Sequence, residues 1–250
     1  MPDTRSHRGP HPEDHRLFAP ETLGTLREAV ADLNWLLSRG YPNAGAQKLV
    51  GDRYQLAARQ RSAVARCACS DAHLQRRKEH QVPCAALAGR PLSLDGYNVL
   101  TTVEAALAGG VILAACDGTY RDMASMHGSF RRVTETRPAL ELIGQATAAL
   151  GVSACLWLLD RPVSNSGRLK QAMLELAEEH DWDWTIELVA NPDAMLVQSD
   201  RVAATADSAI LDRCPAWCNL GREIVARFVS GAIVLDLALG SDSWSVVGGQ

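Results

Sequence analysis

The sequence predicts an α/β protein in which a small, all-helical N-terminal domain precedes a three-layer domain with a mainly parallel β-sheet. Two observations favour this fold class. Apolar residues recur at helical spacing early in the chain, and from residue 91 onward short apolar runs alternate with helical patterns. We divide the chain into an arm (1–20), a helical domain (21–88), an α/β domain (89–238) and a tail (239–250).

Both termini differ in composition from the rest of the chain. Residues 1–20 are polar, rich in His, Arg and Pro, and lack the apolar centre of a secretory signal, so we expect a disordered arm. No run of about 18 apolar residues occurs, which disfavours a membrane span. We therefore expect a cytoplasmic protein that ends in a flexible tail.

The helical domain begins with a long helix over residues 21–38, which Gly40 and Pro42 end. Residues 44–50 and 57–67 predict two shorter helices, so the unit is similar to a helix-turn-helix. The first 90 residues carry 14 Lys and Arg against 9 Asp and Glu, whereas the remainder carries 11 against 20. This split favours a basic unit that holds a polyanion beside an acidic site; solvated helix faces are the alternative.

Several arginines are candidate contacts to nucleic-acid phosphates. The guanidinium group suits this role because its planar fork pairs with phosphate oxygens. Three candidates lie in the helical domain and two in a polar stretch over residues 119–133. They are Arg53, Arg59, Arg61, Arg121 and Arg131. An exposed connecting loop explains the composition of the polar stretch equally well.

The first strand of the α/β domain, over residues 92–94, is followed by Asp95. Gly96 then permits a tight turn, and Asn98 is suited to cap a helix over residues 98–108. Open α/β sheets bind ligands at the carboxyl ends of their strands, so Asp95 is a candidate for chemistry. An ordinary turn residue is the alternative.

Strands and helices alternate through the rest of the domain. We predict strands over 111–116, 154–160, 182–188 and 202–206, and helices over 138–150, 168–180 and 219–230, with a short helix starting at 191. No GxGxxG or Walker sequence occurs, which disfavours a dinucleotide or nucleoside triphosphate site of the usual kind. The seven cysteines favour neither a disulfide framework nor a structural zinc site.

Further acids, Asp160, Asp193 and Asp207, stand where a predicted strand ends or a helix begins. Because parallel strands bring their carboxyl ends to one edge, these acids and Asp95 are expected to converge. Grouped carboxylates repel one another unless a cation neutralises them, and Mg²⁺ or Mn²⁺ takes oxygen ligands of this kind. Such an ion activates water and stabilises charge on a phosphodiester.

Hydroxyl side chains flank the last of these acids. Thr205 and Ser208 lie on either side of Asp207 in the sequence. Each hydroxyl is suited either to orient the carboxylate or to bind a phosphate oxygen.

The acidic segments resemble, in order, the motifs of the PIN-like ribonuclease superfamily and, within it, of the NYN type. The matching segments are Leu-Asp-Gly-Tyr-Asn-Val (94–99), Leu-Leu-Asp (158–160), Pro-Asp-Ala-Met-Leu (192–196) and Ala-Thr-Ala-Asp-Ser (204–208). Residues 39–42 and 48–54 resemble a prokaryotic family known as domain of unknown function 434, paired with this kind of second domain. The resemblance implies a metal-dependent endoribonuclease that acts on RNA, or else DNA. Its implied Mg²⁺ or Mn²⁺ ligands are Asp95, Asp160, Asp193 and Asp207.

The chain departs from this pattern by an additional strand and a polar stretch, residues 111–133, between the first two motifs. Glu104, Asp117 and Asp122 are therefore candidate replacement or additional ligands, and Glu104 is otherwise a surface helix residue. The leading hypothesis is a metal-dependent ribonuclease. The alternatives are a nucleic-acid-binding or regulatory protein that keeps the fold without catalysis, and a phosphatase that uses the same acidic edge.

Overall fold

The computed structural model describes residues 7–124 and 130–238, together with the backbone of residues 245–246. The helices are α1 (Asp14–Leu17), α2 (Pro20–Ser38), α3 (Asn43–Arg53), α4 (Ala58–Cys67), α5 (Asp71–His80), α6 (Gly96–Leu107), α7 (Thr136–Ala149), α8 (Ser166–His180), α9 (Pro192–Gln198), α10 (Ser208–Leu211) and α11 (Leu220–Phe228). The strands are β1 (Pro91–Asp95), β2 (Val111–Ala114), β3 (Tyr120–Asp122), β4 (Ala154–Asp160), β5 (Trp184–Val189), β6 (Val202–Ala204), β7 (Trp217–Cys218), β8 (Ile233–Asp236) and β9 (Ser245–Val246). Among the helices in these ranges, none has the length and apolar character needed to cross a membrane.

Five strands form a parallel sheet in the order β5-β4-β1-β6-β7, which we call the parallel sheet. Its central strand β1 buries Leu92 and Leu94 completely. Helices α6, α7, α8 and α11 share one hydrophobic cluster with these strands, while α9 and α10 contribute to a second cluster around Leu158 and Trp217. The prediction of an α/β fold with a mainly parallel sheet is confirmed.

A second sheet, which we call the mixed sheet, has the order β3-β2-β8-β9. Strand β2 pairs in parallel with β8 and antiparallel with β3, and β9 pairs antiparallel with β8. The predicted strand over residues 111–116 therefore exists as β2 but lies outside the parallel sheet. Strand β8 was not predicted, although the apolar run from Ala232 to Leu237 carried the signal.

The N-terminal helices pack on one another and on the mixed sheet in a single hydrophobic cluster. Leu26 and Leu33 of α2 and Val64 of α4 share one buried cluster with Leu113 of β2 and Leu235 of β8. This cluster therefore contains residues from both sides of the expected boundary near residue 88.

The N-terminal arm, expected to be disordered, is held against the protein from residue 7 onward. The side chain of Arg8 is buried and donates a hydrogen bond to the buried carboxylate of Glu104. Helix α1 presents Asp14 to Arg59 of α4. The sequence could not indicate this because the partners of these charged side chains lie far along the chain. Residues 1–6 and most of the expected tail lie outside the described residues.

The Arg59–Asp14 pair generates a stability prediction. Asp14 has a side chain only 4% exposed, so Arg59→Met leaves a buried carboxylate without its cation. We expect the free energy of unfolding to fall by about 2 kcal/mol, measured by urea denaturation. Arg16→Met is the matched control, since the Arg16–Glu13 pair is exposed and worth at most about 1 kcal/mol. Equal losses in the two variants would contradict the structural role of Arg59.

Candidate active site

The four acids named from the sequence lie at the carboxyl edge of the parallel sheet. Asp95 ends β1 and Asp160 ends the neighbouring strand β4. Asp193 lies in the first turn of α9, and Asp207 is the N-cap of α10, in the loop that follows β6. Strand β4 lies on one side of β1, and β6, which comes later in the chain, lies on the other side. The strand order therefore reverses at β1, which makes this edge a topological switch point. Open α/β sheets bind ligands at such points.

Three of these acids line one cavity of about 280 Å³, which we call the acid cavity. Its lining residues are Asp95, Tyr97, Leu158, Asp160, Pro162, Val163, Pro192 and Asp193. Asp207 does not line this cavity, but its charge acts on both Asp95 and Asp193. The structure therefore brings three acids together and places the fourth within electrostatic reach.

The environment of Asp95 disfavours a negative charge. Burial raises the pKa of Asp95 to about 7, with further increases from the carboxylates of Asp207 and Asp193. A hydrogen bond from Thr205 Oγ1 to Asp95 Oδ2, 2.8 Å long, opposes the shift because it stabilises the ionised form. Asp95 is therefore close to half-protonated near neutral pH when no cation is present.

Asp193 experiences the same repulsion from a more exposed position. Burial raises its pKa, and the carboxylates of Asp207 and Asp160 add to the increase. Asn191 fixes the start of α9, since its Oδ1 accepts a hydrogen bond from the Ala194 N–H at 3.0 Å. Neighbouring carboxylates thus contribute to the raised pKa values of two of the four acids, Asp95 and Asp193.

The Thr205 hydroxyl connects two of the acids. It donates to Asp95 and accepts a hydrogen bond from the Asp207 N–H at 3.0 Å. The Asp207 carboxylate caps α10, accepting from the Ala209 N–H at 2.7 Å. Ser208 is the half-buried first residue of that helix. These bonds fix the loop after β6 against the end of β1.

Asn98 has a different role from the helix cap expected from the sequence. Helix α6 already begins at Gly96, and Asn98 Oδ1 instead accepts a hydrogen bond from the Ala206 N–H at 2.8 Å. Gly96 is required because a Cβ there would lie 2.9 Å from the carbonyl oxygen of Leu158. The motif that follows β1 therefore contacts the neighbouring strand β4 on one side and the loop after β6 on the other.

The donor set fits a hard divalent cation in its chemistry but is not arranged as a finished metal site. In residues 7–124 and 130–238, no group of three or more His, Cys, Asp or Glu side chains is placed so that it could hold a metal ion. The four carboxylates are nevertheless the oxygen donors that Mg²⁺ and Mn²⁺ prefer, and their repulsion would be relieved by a cation. Binding such an ion requires the carboxylates to move closer together.

Asp117, a candidate additional ligand, is instead the centre of a buried ion-pair network. Its carboxylate accepts hydrogen bonds from Arg77 and Arg121, each at 2.6 Å, and from Thr119. Burial alone would raise the pKa of Asp117, but the two guanidinium groups hold it below its usual value. Arg121, expected to contact phosphate, is itself buried and donates to the Ala206 carbonyl at 2.7 Å. Both residues therefore support the loop that carries Asp207.

The other candidate acids of this region also have partners inside the protein. Glu104 is buried against Arg8 and is not the surface residue that the sequence suggested. Asp122 accepts hydrogen bonds from two threonine hydroxyls of α6. Neither acid lines the acid cavity. Arg131, a predicted phosphate contact, is half-buried, and its carbonyl accepts a hydrogen bond from Arg8.

Two of the candidate arginines of the N-terminal helices lie at the surface. Arg53 is 68% exposed in its side chain and lies 3.4 Å from Asp32. Arg61 donates to Asp52 at 2.9 Å and to the carbonyl of Leu56. Both pairs are solvent-exposed and weak, so these guanidinium groups can exchange partners more readily than that of Arg59, which pairs with the buried Asp14 of α1.

Sequence reasoning missed Tyr97 as a site residue. Its ring lines the acid cavity and packs against Phe130 with ring centroids 5.3 Å apart. Its hydroxyl has no hydrogen-bond partner among the described residues. The available signal was its position two residues after Asp95, inside the motif that had already been singled out.

The raised pKa of Asp95 predicts how stability depends on pH. Between about pH 4 and about pH 7 the folded protein holds a proton on Asp95 that the unfolded chain releases, so stability is lost as the pH rises through 7. In the presence of chelator, we compare the free energy of unfolding of Asp95→Asn with that of wild type. The difference should favour the variant by at least about 1 kcal/mol more at pH 8 than at pH 5. Thermal melts at both pH values measure the difference, and a constant difference would contradict the raised pKa.

Comparisons with known proteins place this architecture in a family. Residues 25–80 match the model described as "Protein of unknown function (DUF434)", which confirms that predicted resemblance, and residues 84–223 match "Domain of unknown function (DUF5616)". An uncharacterised protein of Methanocaldococcus jannaschii is 27% identical over 187 residues, covering 75% of this chain and 89% of the relative. No solved structure matches the chain significantly. Because the second model spans more than half of the sequence, the chain belongs to the DUF5616 family and carries a DUF434 region at its N-terminus.

Proposed function

We propose that this protein is a divalent-metal-dependent ribonuclease that hydrolyses phosphodiester bonds at the acid cavity. The observation that carries the proposal is the grouping of repelling carboxylates at the switch point of the parallel sheet. Burial and neighbouring acids raise the pKa values of Asp95 and Asp193, so ionisation of these carboxyl groups is unfavourable, and a bound cation would stabilise their ionised forms. The PIN-like, NYN-type identity of the C-terminal region belongs to the same proposal.

The residues that would hold Mg²⁺ or Mn²⁺ are Asp95, Asp160 and Asp193, with Asp207 approaching from beside the cavity. When bound, the ion would activate water and neutralise developing charge on the phosphate. Thr205 orients the Asp95 carboxylate through its 2.8 Å hydrogen bond. Pro162 and Val163 contribute apolar surface to the cavity wall.

A second candidate is a nucleic-acid-binding protein without catalysis. It is favoured by one observation, the lack of a finished three-ligand metal arrangement in the part of the chain that the structure describes. In either case the exposed guanidinium of Arg53, assisted by Arg61, is the best-placed phosphate contact among the predicted arginines of the N-terminal helices.

Cleavage assays test the leading proposal directly. Single-stranded and structured RNA should be cut in Mn²⁺ or Mg²⁺ and left intact in EDTA. Asp95→Asn combined with Asp207→Asn should reduce the rate by on the order of 100-fold or more, because the variant loses two of four carboxylates. Asp200→Asn is the matched control, since this aspartate is exposed and does not line the acid cavity.

The same assays separate the candidates. Cleavage that persists in EDTA or in the double variant would overturn the metal-dependent mechanism. Salt-sensitive RNA binding without cleavage would favour the binding protein, and the affinity should then be indifferent to the aspartate changes. Hydrolysis of small phosphoesters without cleavage of RNA would indicate a phosphatase.

A further inference from the structure

The hydroxyl group of Tyr97 is the feature of the acid cavity that the carboxylate chemistry leaves unexplained. Tyr97 is only 7% exposed, and its hydroxyl has no hydrogen-bond partner within the described ranges. A buried, unpartnered hydroxyl lowers the stability of the free protein. The cost is understandable if a bound ligand supplies the partner, since the same side chain lines the cavity beside three acids.

The surroundings of Tyr97 restrict its reorientation. The residue lies in the first turn of α6, and its ring packs against the fully buried Phe130. Phe130 is itself fixed, because its N–H donates to the Ser164 carbonyl and its own carbonyl accepts from Asn165. The ring of Tyr97 is therefore held in place beside the cavity that it lines, and its hydroxyl cannot readily turn toward another partner.

The charge nearby indicates what kind of ligand group fits. The phenol of a tyrosine is uncharged at neutral pH and can donate a hydrogen bond, and the Asp160 carboxylate lines the same cavity as Tyr97. A group placed between this donor and the Asp160 acceptor must itself both accept and donate. A sugar hydroxyl meets this requirement, whereas an ionised phosphate oxygen only accepts and is repelled by the carboxylate.

We propose that Tyr97 and Asp160 together bind a ribose 2′-hydroxyl of the substrate, so that the acid cavity selects RNA over DNA. The inference rests on the proposed function, because it concerns the substrate of that same site. Tyr97 donates to the 2′ oxygen, and the 2′ hydrogen is donated to Asp160. The 2′-hydroxyl is the group that distinguishes the two nucleic acids at a given position.

Binding measurements test this without depending on turnover. Fluorescence anisotropy is measured on the full chain, in EDTA and again with Ca²⁺, using a labelled single-stranded RNA, the same sequence as DNA, and its 2′-fluoro analogue. Wild type should bind the RNA about 5- to 10-fold more tightly than either analogue, as expected for a hydrogen-bonded hydroxyl. In Tyr97→Phe this ratio should fall to about one.

Two controls keep the result interpretable. Tyr41→Phe removes an exposed hydroxyl outside the acid cavity and should retain the wild-type ratio. Tyr97→Phe should melt at or above the wild-type temperature, because the deleted hydroxyl has no partner in the free protein. A lower melting temperature would overturn the inference, since it would mean that the hydroxyl already makes a stabilising contact.

The outcomes distinguish this inference from the proposed function. Loss of RNA preference in Tyr97→Phe supports the inference even if no cleavage is observed. Absence of cleavage would overturn only the nuclease proposal. Equal binding of RNA and DNA by wild type, an unchanged ratio in the variant, or tight binding of the 2′-fluoro analogue would overturn the inference and leave cleavage unaffected. Failure to bind any of the three would overturn it as well.

Discussion

Like-charge repulsion at one edge of the parallel sheet is the constraint on which the site depends. Strand β1 is held centrally between β4 and β6 by backbone pairing and by the complete burial of Leu92 and Leu94. That packing fixes Asp95 beside carboxylates that would separate in a flexible chain. The Thr205 hydroxyl offsets part of the repulsion and ties the loop of Asp207 to the same point. Hydrophobic packing of the strands thus maintains an electrostatically unfavourable arrangement, as functional sites commonly do.

A buried ion-pair network links the N-terminal helices to this site. Arg77 of α5 and Arg121 of β3 both donate to Asp117, and Arg121 also donates to the carbonyl of Ala206, next to Asp207. Trp217 of β7 completes the connection, since its indole N–H donates to the Arg77 carbonyl at 2.7 Å. The basic residues of this network stabilise the position of the site loop, and their charge is already neutralised within the protein.

The sequence predicted local structure better than it predicted partners. Apolar runs ending in acids identified β1, β4 and β6, and the rule for parallel sheets placed their acids at one edge. The apolar run over residues 111–116 also predicted a strand, but no sequence pattern indicates which sheet a strand joins. The burial of Arg8 and Arg121 was missed because polar composition normally indicates exposure, and Arg8 meets Glu104 across 96 positions of sequence. Tyr97 was not predicted as a site residue because the sequence does not show which side chains of the segment after Asp95 line a cavity.

The pairing of β2 with β8 is a long-range contact on which the packing of the N-terminal helices depends. Val111 pairs with Ile233, so the mixed sheet joins two segments that lie far apart in the sequence. The N-terminal helices bury their apolar faces on this sheet, with Leu113 and Leu235 in their cluster. These helices therefore lack part of their packing surface until β2 and β8 have paired. Before that pairing forms, the leucines of α2 that face the mixed sheet are exposed, and exposed apolar surface favours aggregation.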